Sequence, residues 1–276
     1  YPQWQGEPLD GKSLVVCTEQ GFGDNIQFAR YAPLIKARGA SRLTFVVPAP
    51  LQTLFLSISS IDSVVSDFNS LPPHDFWVFP LSLPFLFGTT VDSIPNSLPY
   101  LHPSPDLLAF WRDRLPPASF SVGLVWKGNP DHANDTNRSL PSLASLAPLW
   151  SVPGVTFISL QKGQGEDEAS SPPPLQPLFP LGHLLRDFAD TAAVISQLDL
   201  IICVDSAIAH LAGALNVPCW VLLPSVGTDW RWLRDRSDSP WYPSALRLFH
   251  QSSPNDWQQT IQIVASSLTA NAASRL

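Results

Sequence analysis

The sequence predicts an α/β protein, and three observations carry that prediction. Short, nearly continuous apolar runs of strand length recur along the chain. Amphipathic helical patterns alternate with them, as in sheets whose strands are buried on both faces. The alternation stops at Leu115-Pro116-Pro117 and then begins afresh, so the 276 residues divide into two α/β halves, 1–117 and 118–276. Each half lies within the usual size range of a domain.

Taken in order, Ser13–Thr18 reads as a strand, and Gly21-Phe22-Gly23 as the turn that follows it. A helix is expected from about Asn25 to Arg38, stopped by Gly39, with Pro33 kinking it or marking an irregular turn. Leu43–Val47 is the second strand. A helix and a short strand near Ser63–Ser66 come next, and residues 70–105, rich in Pro, Ser and aromatics, read as short elements and loops. A helix carrying Leu107, Leu108 and Trp111 runs into the proline break. Beyond it lie strands at Ser121–Trp126 and Thr156–Leu160, then a polar loop through 162–180. Helix Thr191–Leu198, strand Leu200–Val204, helix Ala207–Leu215 and strand Cys219–Leu223 follow, and a last amphipathic helix starts near Asp256. Two such halves are two Rossmann-like domains.

Composition narrows the function. The chain has 16 basic and 23 acidic residues, net −7, which argues against a broad electrostatic grip on nucleic acid or anionic lipid. Only 14% of residues are charged, and the 29 prolines alternate with apolar runs, so they punctuate loops and do not signal disorder. No apolar run is long enough to span a bilayer, and no signal peptide is visible. Cys17, Cys203 and Cys219 fit no metal-ligand spacing and read as buried core residues in a reducing compartment. The absence of methionine suggests a processed chain or a piece of a longer one.

Ligands of open parallel sheets gather outside the carboxyl ends of the strands. Three loops placed there carry suggestive residues. In Glu19-Gln20-Gly21-Phe22-Gly23-Asp24-Asn25 the glycines permit close backbone approach, and Asp24 either caps the helix or acts as a general base. In Val204-Asp205-Ser206-Ala207-Ile208-Ala209-His210, small residues leave helix-mouth N–H groups open to a diphosphate, with His210 one turn away; a capped core helix with a half-buried histidine is the other reading. In Trp126-Lys127-Gly128-Asn129-Pro130 and on to Arg138, Lys127 and Arg138 either neutralise phosphates or are solvated surface charges. Glu166, Asp167 and Glu168 form a charge run that is a solvated loop or supplies a ribose-binding carboxylate. Asp229-Trp230-Arg231-Trp232 and Pro240-Trp241-Tyr242-Pro243 gather aromatics that stack a base or sugar or else close a small core.

As a set and in this order, five segments resemble the heptosyltransferase-like glycosyltransferases of family 9, in the form found at the C-terminal end of bacterial tetratricopeptide-repeat proteins. They are Glu19–Tyr31, Val125–Pro130, Asp187–Ala193, Val204–Leu215 and Asp229–Trp232. The resemblance implies a GT-B fold: an acceptor-side domain over 1–117, a nucleotide-sugar domain over 118–276, and a last helix that can pack back on the first domain. It implies inverting, metal-independent transfer of a sugar from a nucleotide-diphosphate donor to a hydroxyl of a glycan or protein, with no cofactor. Asp24 takes the place of the family's general base. Asp205, Ser206, Ala207 and His210 match its donor motif, with Ser and Ala replacing Thr and Gly. Gly23, Lys127, Arg138, Gln161, Glu166 and Asp229 complete the donor-side residues it implies. Tetratricopeptide repeats in a longer parent, and a cytoplasmic location peripheral to the inner membrane, are further expectations. A non-catalytic nucleotide-sugar-binding or scaffold module and a GT-B-fold epimerase are the alternatives.

Overall fold

The computed structural model describes residues 1–273. The first half comprises β1 (Ser13–Cys17), α1 (Phe22–Phe28), α2 (Ala32–Ala37), β2 (Arg42–Val46), α3 (Ala49–Phe55), β3 (Ser63–Val65), β4 (Phe76–Val78), α4 (Leu83–Leu86) and α5 (Pro105–Arg112). The expected single helix over 25–38 is two helices joined by a 3-10 turn at Ala29–Tyr31. Pro33 sits in the first turn of α2, where its missing N–H costs nothing. Gly39, at φ +93, ends α2 in a conformation that favours glycine.

The second half comprises β5 (Phe120–Val125), α6 (Asp135–Arg138), β6 (Val155–Ser159), α7 (Glu166–Ser170), β7 (Phe179–Pro180), α8 (Phe188–Ile195), β8 (Leu200–Val204), α9 (Ala207–Ala214), β9 (Cys219–Leu223), β10 (Leu246–His250) and α10 (Gln258–Ala273). Both sheets are parallel. Their orders are β3-β2-β1-β4 and β10-β9-β8-β5-β6-β7. The second is the doubly wound order, with its reversal between β5 and β8; the first reverses between β1 and β4. Each reversal opens a crevice at strand carboxyl ends, and the loops after β1, β5 and β8 are the three singled out in the sequence.

The first sheet lies wholly before the proline pair and the second wholly after it, but the packing does not divide so cleanly. Tyr100 N–H donates to Ala214 O, and α5 packs on α8, where Trp111 Nε1 donates to the buried Asp190 at 3.0 Å. The segment that closes the first half therefore lies on the second. One continuous apolar core runs from α1, α2 and α3 through α8 and α9 to Trp241 and Tyr242. The last helix does the opposite of what the resemblance suggested. Ile261, Val264 and Leu268 of α10 bury against Phe120, Val122 and Leu146, on the far face of the second sheet. That face needs a cover, and α10 supplies it. All three cysteines are buried and free.

Candidate functional site

The site forms where α1 of the first half packs against α9 of the second. Gly23 is the contact point. A Cβ there would lie 2.8 Å from His210 Cδ2 and 3.4 Å from Ala207 Cα, so only glycine lets the two helix starts come together. Gly23 thus serves helix packing, where the resemblance placed it in donor binding. The same contact brings Asp24 beside the loop that carries Asp205 and Ser206.

Asp24 does close the helix start, since its Oδ2 accepts from the Gly21 N–H at 2.8 Å. Its other oxygen is paired with Arg231 from the second half. Arg231 Nη1 donates to Asp229 Oδ2 at 2.8 Å, and its guanidinium lies 5.6 Å from the Phe28 ring and 5.1 Å from the Trp230 ring. Asp229 also caps the 3-10 turn Trp230–Trp232 by accepting from the Arg231 N–H. Asp24 and Asp229 are therefore clamped by one buried cation that the sequence did not single out as a site residue. Its segment was visible as an aromatic cluster, but a lone arginine there carries no spacing signal.

Asp205 stands at the end of β8. Protein surrounds its carboxyl, and burial pushes its pKa from 3.8 to about 6. The Trp232 indole, Arg138 and Arg231 pull it down, and Asp229 pushes it further up. Ser206 takes the N-cap position of α9 in extended backbone, but its Oγ makes no cap bond and is a buried hydroxyl without a partner. With Ala207 following, the first N–H groups of α9 have no side-chain cap.

His210 is 6% exposed. Its ring stacks on Trp232 at 5.2 Å, and Nδ1 meets Tyr242 Oη at 3.2 Å. Burial, then Arg231 and Arg30, hold its pKa well below the ordinary histidine range, so the imidazole is uncharged. Arg30, from the 3-10 turn after α1, is buried too. It donates to Trp241 O at 2.8 Å and to Pro95 O at 3.1 Å, and lies 4.6 Å from the Tyr242 ring. Arg30 ties the end of α1 to the second half just as Arg231 ties the second half to its start.

The remaining donor-side candidates divide. Arg138 is held by Asp135 at 3.2 Å, with Gly128 packed so closely that a Cβ would meet both side chains at 2.8 Å. It lies near enough to Asp205 to affect its titration. Lys127 Nζ donates to Pro141 O at 2.8 Å. Gln161 is buried with both amide ends occupied: Oε1 accepts from the Trp126 and Lys127 N–H groups, while Nε2 donates to Lys127 O and Gln164 O. Glu166 accepts from the Gly163 N–H at 2.9 Å. Gln161 thus ties the loop after β6 to the loop after β5, while the hydrogen bonds of Lys127 and Glu166 run to Pro141 and Gly163.

Comparisons with known proteins bear on the fold and on one segment of the chain. Residues 186–222 match the model of glycosyltransferase family 9 (heptosyltransferase). That stretch covers α8, β8 and α9, including Asp205, Ser206, Ala207 and His210. Protein FlbA of Caulobacter vibrioides is 29% identical over 297 aligned positions, which take in 99% of this chain and 49% of FlbA. The chain thus spans about half the length of that curated relative. Among solved structures, the Escherichia coli ADP-heptose lps heptosyltransferase II superposes with a TM-score of 0.65 at 14% identity, covering 95% of this chain and 99% of that one. A family 9 glycosyltransferase from Veillonella parvula gives 0.63 at 14% identity, covering 89% and 87%. The iron-containing dodecameric glycosyltransferase TibC of enterotoxigenic E. coli gives 0.57 at 13% identity, covering 98% and 77%. Among the described residues no group of three His, Cys, Asp or Glu side chains is placed to hold a metal ion. Nor is any described helix long and apolar enough to cross a membrane. The chain has the α/β fold of these GT-B heptosyltransferase structures, two Rossmann-like units, and within it the α8–β9 segment carries the sequence pattern of glycosyltransferase family 9.

Proposed function

We propose that this chain is a glycosyltransferase that moves a sugar from a nucleotide-diphosphate donor to a hydroxyl of a glycan or protein acceptor, with inversion and without a metal. The observation that carries this reading is the meeting of Asp24, from one half, with the open start of α9, from the other. A hydroxyl is a weak nucleophile and needs a base within hydrogen-bond reach. Asp24 takes its proton as the oxygen bonds to the anomeric carbon, on the face opposite the diphosphate. The bond from that carbon to the diphosphate oxygen breaks, so the configuration inverts. The departing charge falls to the N–H groups that open α9, to Ser206 Oγ and to Arg138. Asp205 sits among these groups, and its raised pKa lets it carry a proton near a dianionic leaving group. A repeat segment in a longer parent, and a workplace at the inner membrane surface, belong to the same proposal and rest on the resemblance alone.

The test starts with a thermal-shift panel of nucleotides and nucleotide sugars, followed by a transfer assay. TibC has been solved with ADP-D-beta-D-heptose, so ADP-sugars head the panel. Asp24→Asn is expected to lower transfer by at least about a hundredfold while leaving donor affinity unchanged. Transfer at the wild-type rate in that variant rules out Asp24 as the base. Donor binding without transfer in the wild type makes the chain a nucleotide-sugar-binding module.

A further inference from the structure

We propose that the cavity between the halves beside Arg231 is the acceptor subsite and that it takes an uncharged sugar ring; this rests on the glycosyltransferase reading above. The cavity measures about 160 Å³ and is lined by Thr89, Thr90 and Val91 from the first half and by Trp230, Arg231 and Trp241 from the second. At the bulk volume of a water molecule this is room for roughly five waters, the space of one small ring.

Position comes first. Arg231 belongs both to the cavity wall and to the pair with Asp24, and its guanidinium lies 5.1 Å from the Trp230 ring. A ring seated on Trp230 is therefore a single guanidinium away from the base. Charge comes second. Among the lining residues Arg231 alone is charged, and Asp24 and Asp229 already occupy its two terminal nitrogens. An anionic ligand would find both terminal nitrogens of that cation already paired with carboxylates. Surface chemistry comes third. Trp230 leaves 59% of its surface exposed, with Trp241 edge-on to it at 6.0 Å. A flat indole face in water, walled by a second indole, suits the C–H face of a pyranose, whose hydroxyls project outward. Thr89 and Thr90 place two hydroxyls on the same wall. Each has one side-chain partner, Tyr31 or Ser93, and keeps further hydrogen-bonding capacity. A peptide would instead set its backbone N–H and C=O groups against valine, proline and indole, leaving them unpaired.

Saturation-transfer NMR tests this with methyl glycosides of glucose, galactose, mannose and N-acetylglucosamine, beside methyl glucuronide and a short Ser/Thr peptide. The expected result is saturation of the ring C–H protons of at least one neutral glycoside and none of the glucuronide or the peptide. Trp230→Ala should weaken that binding about tenfold and Trp230→Phe should restore it, with nucleotide affinity by calorimetry unchanged in both. Glucuronide or peptide binding as tight as the neutral glycosides overturns the proposal. So does neutral binding that Trp230→Ala leaves intact. If nucleotides bind and no neutral glycoside does, the subsite is wrong and the glycosyltransferase reading stands. If neither binds to the wild type, both are wrong.

Discussion

Replacing Asp205 by asparagine separates one buried carboxyl from every other acid in the chain. Its pKa stands at about 6 against an ordinary 3.8, chiefly because burial penalises the charged form. A gap of about two units, at 1.36 kcal/mol per unit, is worth roughly 3 kcal/mol. Native Asp205 holds its proton more tightly than the unfolded chain does. Between these two pKa values the native state therefore binds more protons, and stability falls as pH rises. The contribution is fully present below pH 3.8 and is lost as pH climbs through about 6. Other carboxyls, among them Asp62 and Asp190, are shifted the opposite way, so the raw wild-type curve mixes both signs. Subtracting it from the Asp205→Asn curve cancels them. The assay is urea unfolding across that pH range. The variant's stability relative to wild type should rise by roughly 3 kcal/mol from the acid to the neutral end. ADP binding gives a second readout, since ionised Asp205 repels a diphosphate at the start of α9: wild-type affinity should fall through pH 6 and the variant's should not. A flat difference curve would show that Asp205 is solvated, and the raised pKa with its role near the leaving group would have to be abandoned.

Two further substitutions probe how the halves are held. Gly23→Ala gains at most about 1 kcal/mol of helix propensity but drives a methyl to within 2.8 Å of a His210 ring locked by Trp232 and Tyr242. Overpacking of that kind costs about 1–3 kcal/mol, so a net loss should appear in the melting temperature. An unchanged or higher one would mean that α1 and α9 slide apart freely. Gln161→Leu orphans the buried Trp126 N–H and the half-buried Lys127 N–H, and an unpaired buried group costs about 1–3 kcal/mol. Its urea midpoint should drop while Asp24-dependent transfer keeps its rate; loss of donor binding without loss of stability would return Gln161 to the donor site.

The core strands were legible because they are buried on both faces. Every residue of β1, β5, β8 and β9 is buried, and such runs leave an unbroken apolar signature. β10 escaped because it lies at a sheet edge with Arg247 exposed as its second residue, and β4 because three residues between prolines carry no period. The 3-10 run Leu143–Ser151, which holds Pro148, hid in a Ser- and Pro-rich stretch for the same reason. At the site, Asp24 and the Asp205–His210 motif were readable from their place after strands. Arg231 and Arg30 were not, since their roles are made by partners 207 and 211 residues away. No local pattern encodes such a contact.

Those two arginines bear on how the site works. A catalytic base on one half and a leaving-group site on the other normally leave their alignment to a hinge, and a misplacement of even 1 Å can cost about a hundredfold in rate. Here one core runs through both halves, and Gly23 sets the spacing at the helix crossing. Arg30 and Arg231 then pin the two ends of that contact, each buried and each matched by acceptors from the other half. Breaking one partner of a buried charged set leaves an unpaired charge and costs several kcal/mol. The geometry between Asp24 and α9 is therefore fixed before any ligand arrives. On the proposed glycosyltransferase reading, what must move to admit an acceptor is smaller: the Arg231 side chain, at the rim of the Trp230 cavity, which has to yield one Asp24 oxygen to the hydroxyl. The same arginine retains Asp229, so it has somewhere to stay when it does.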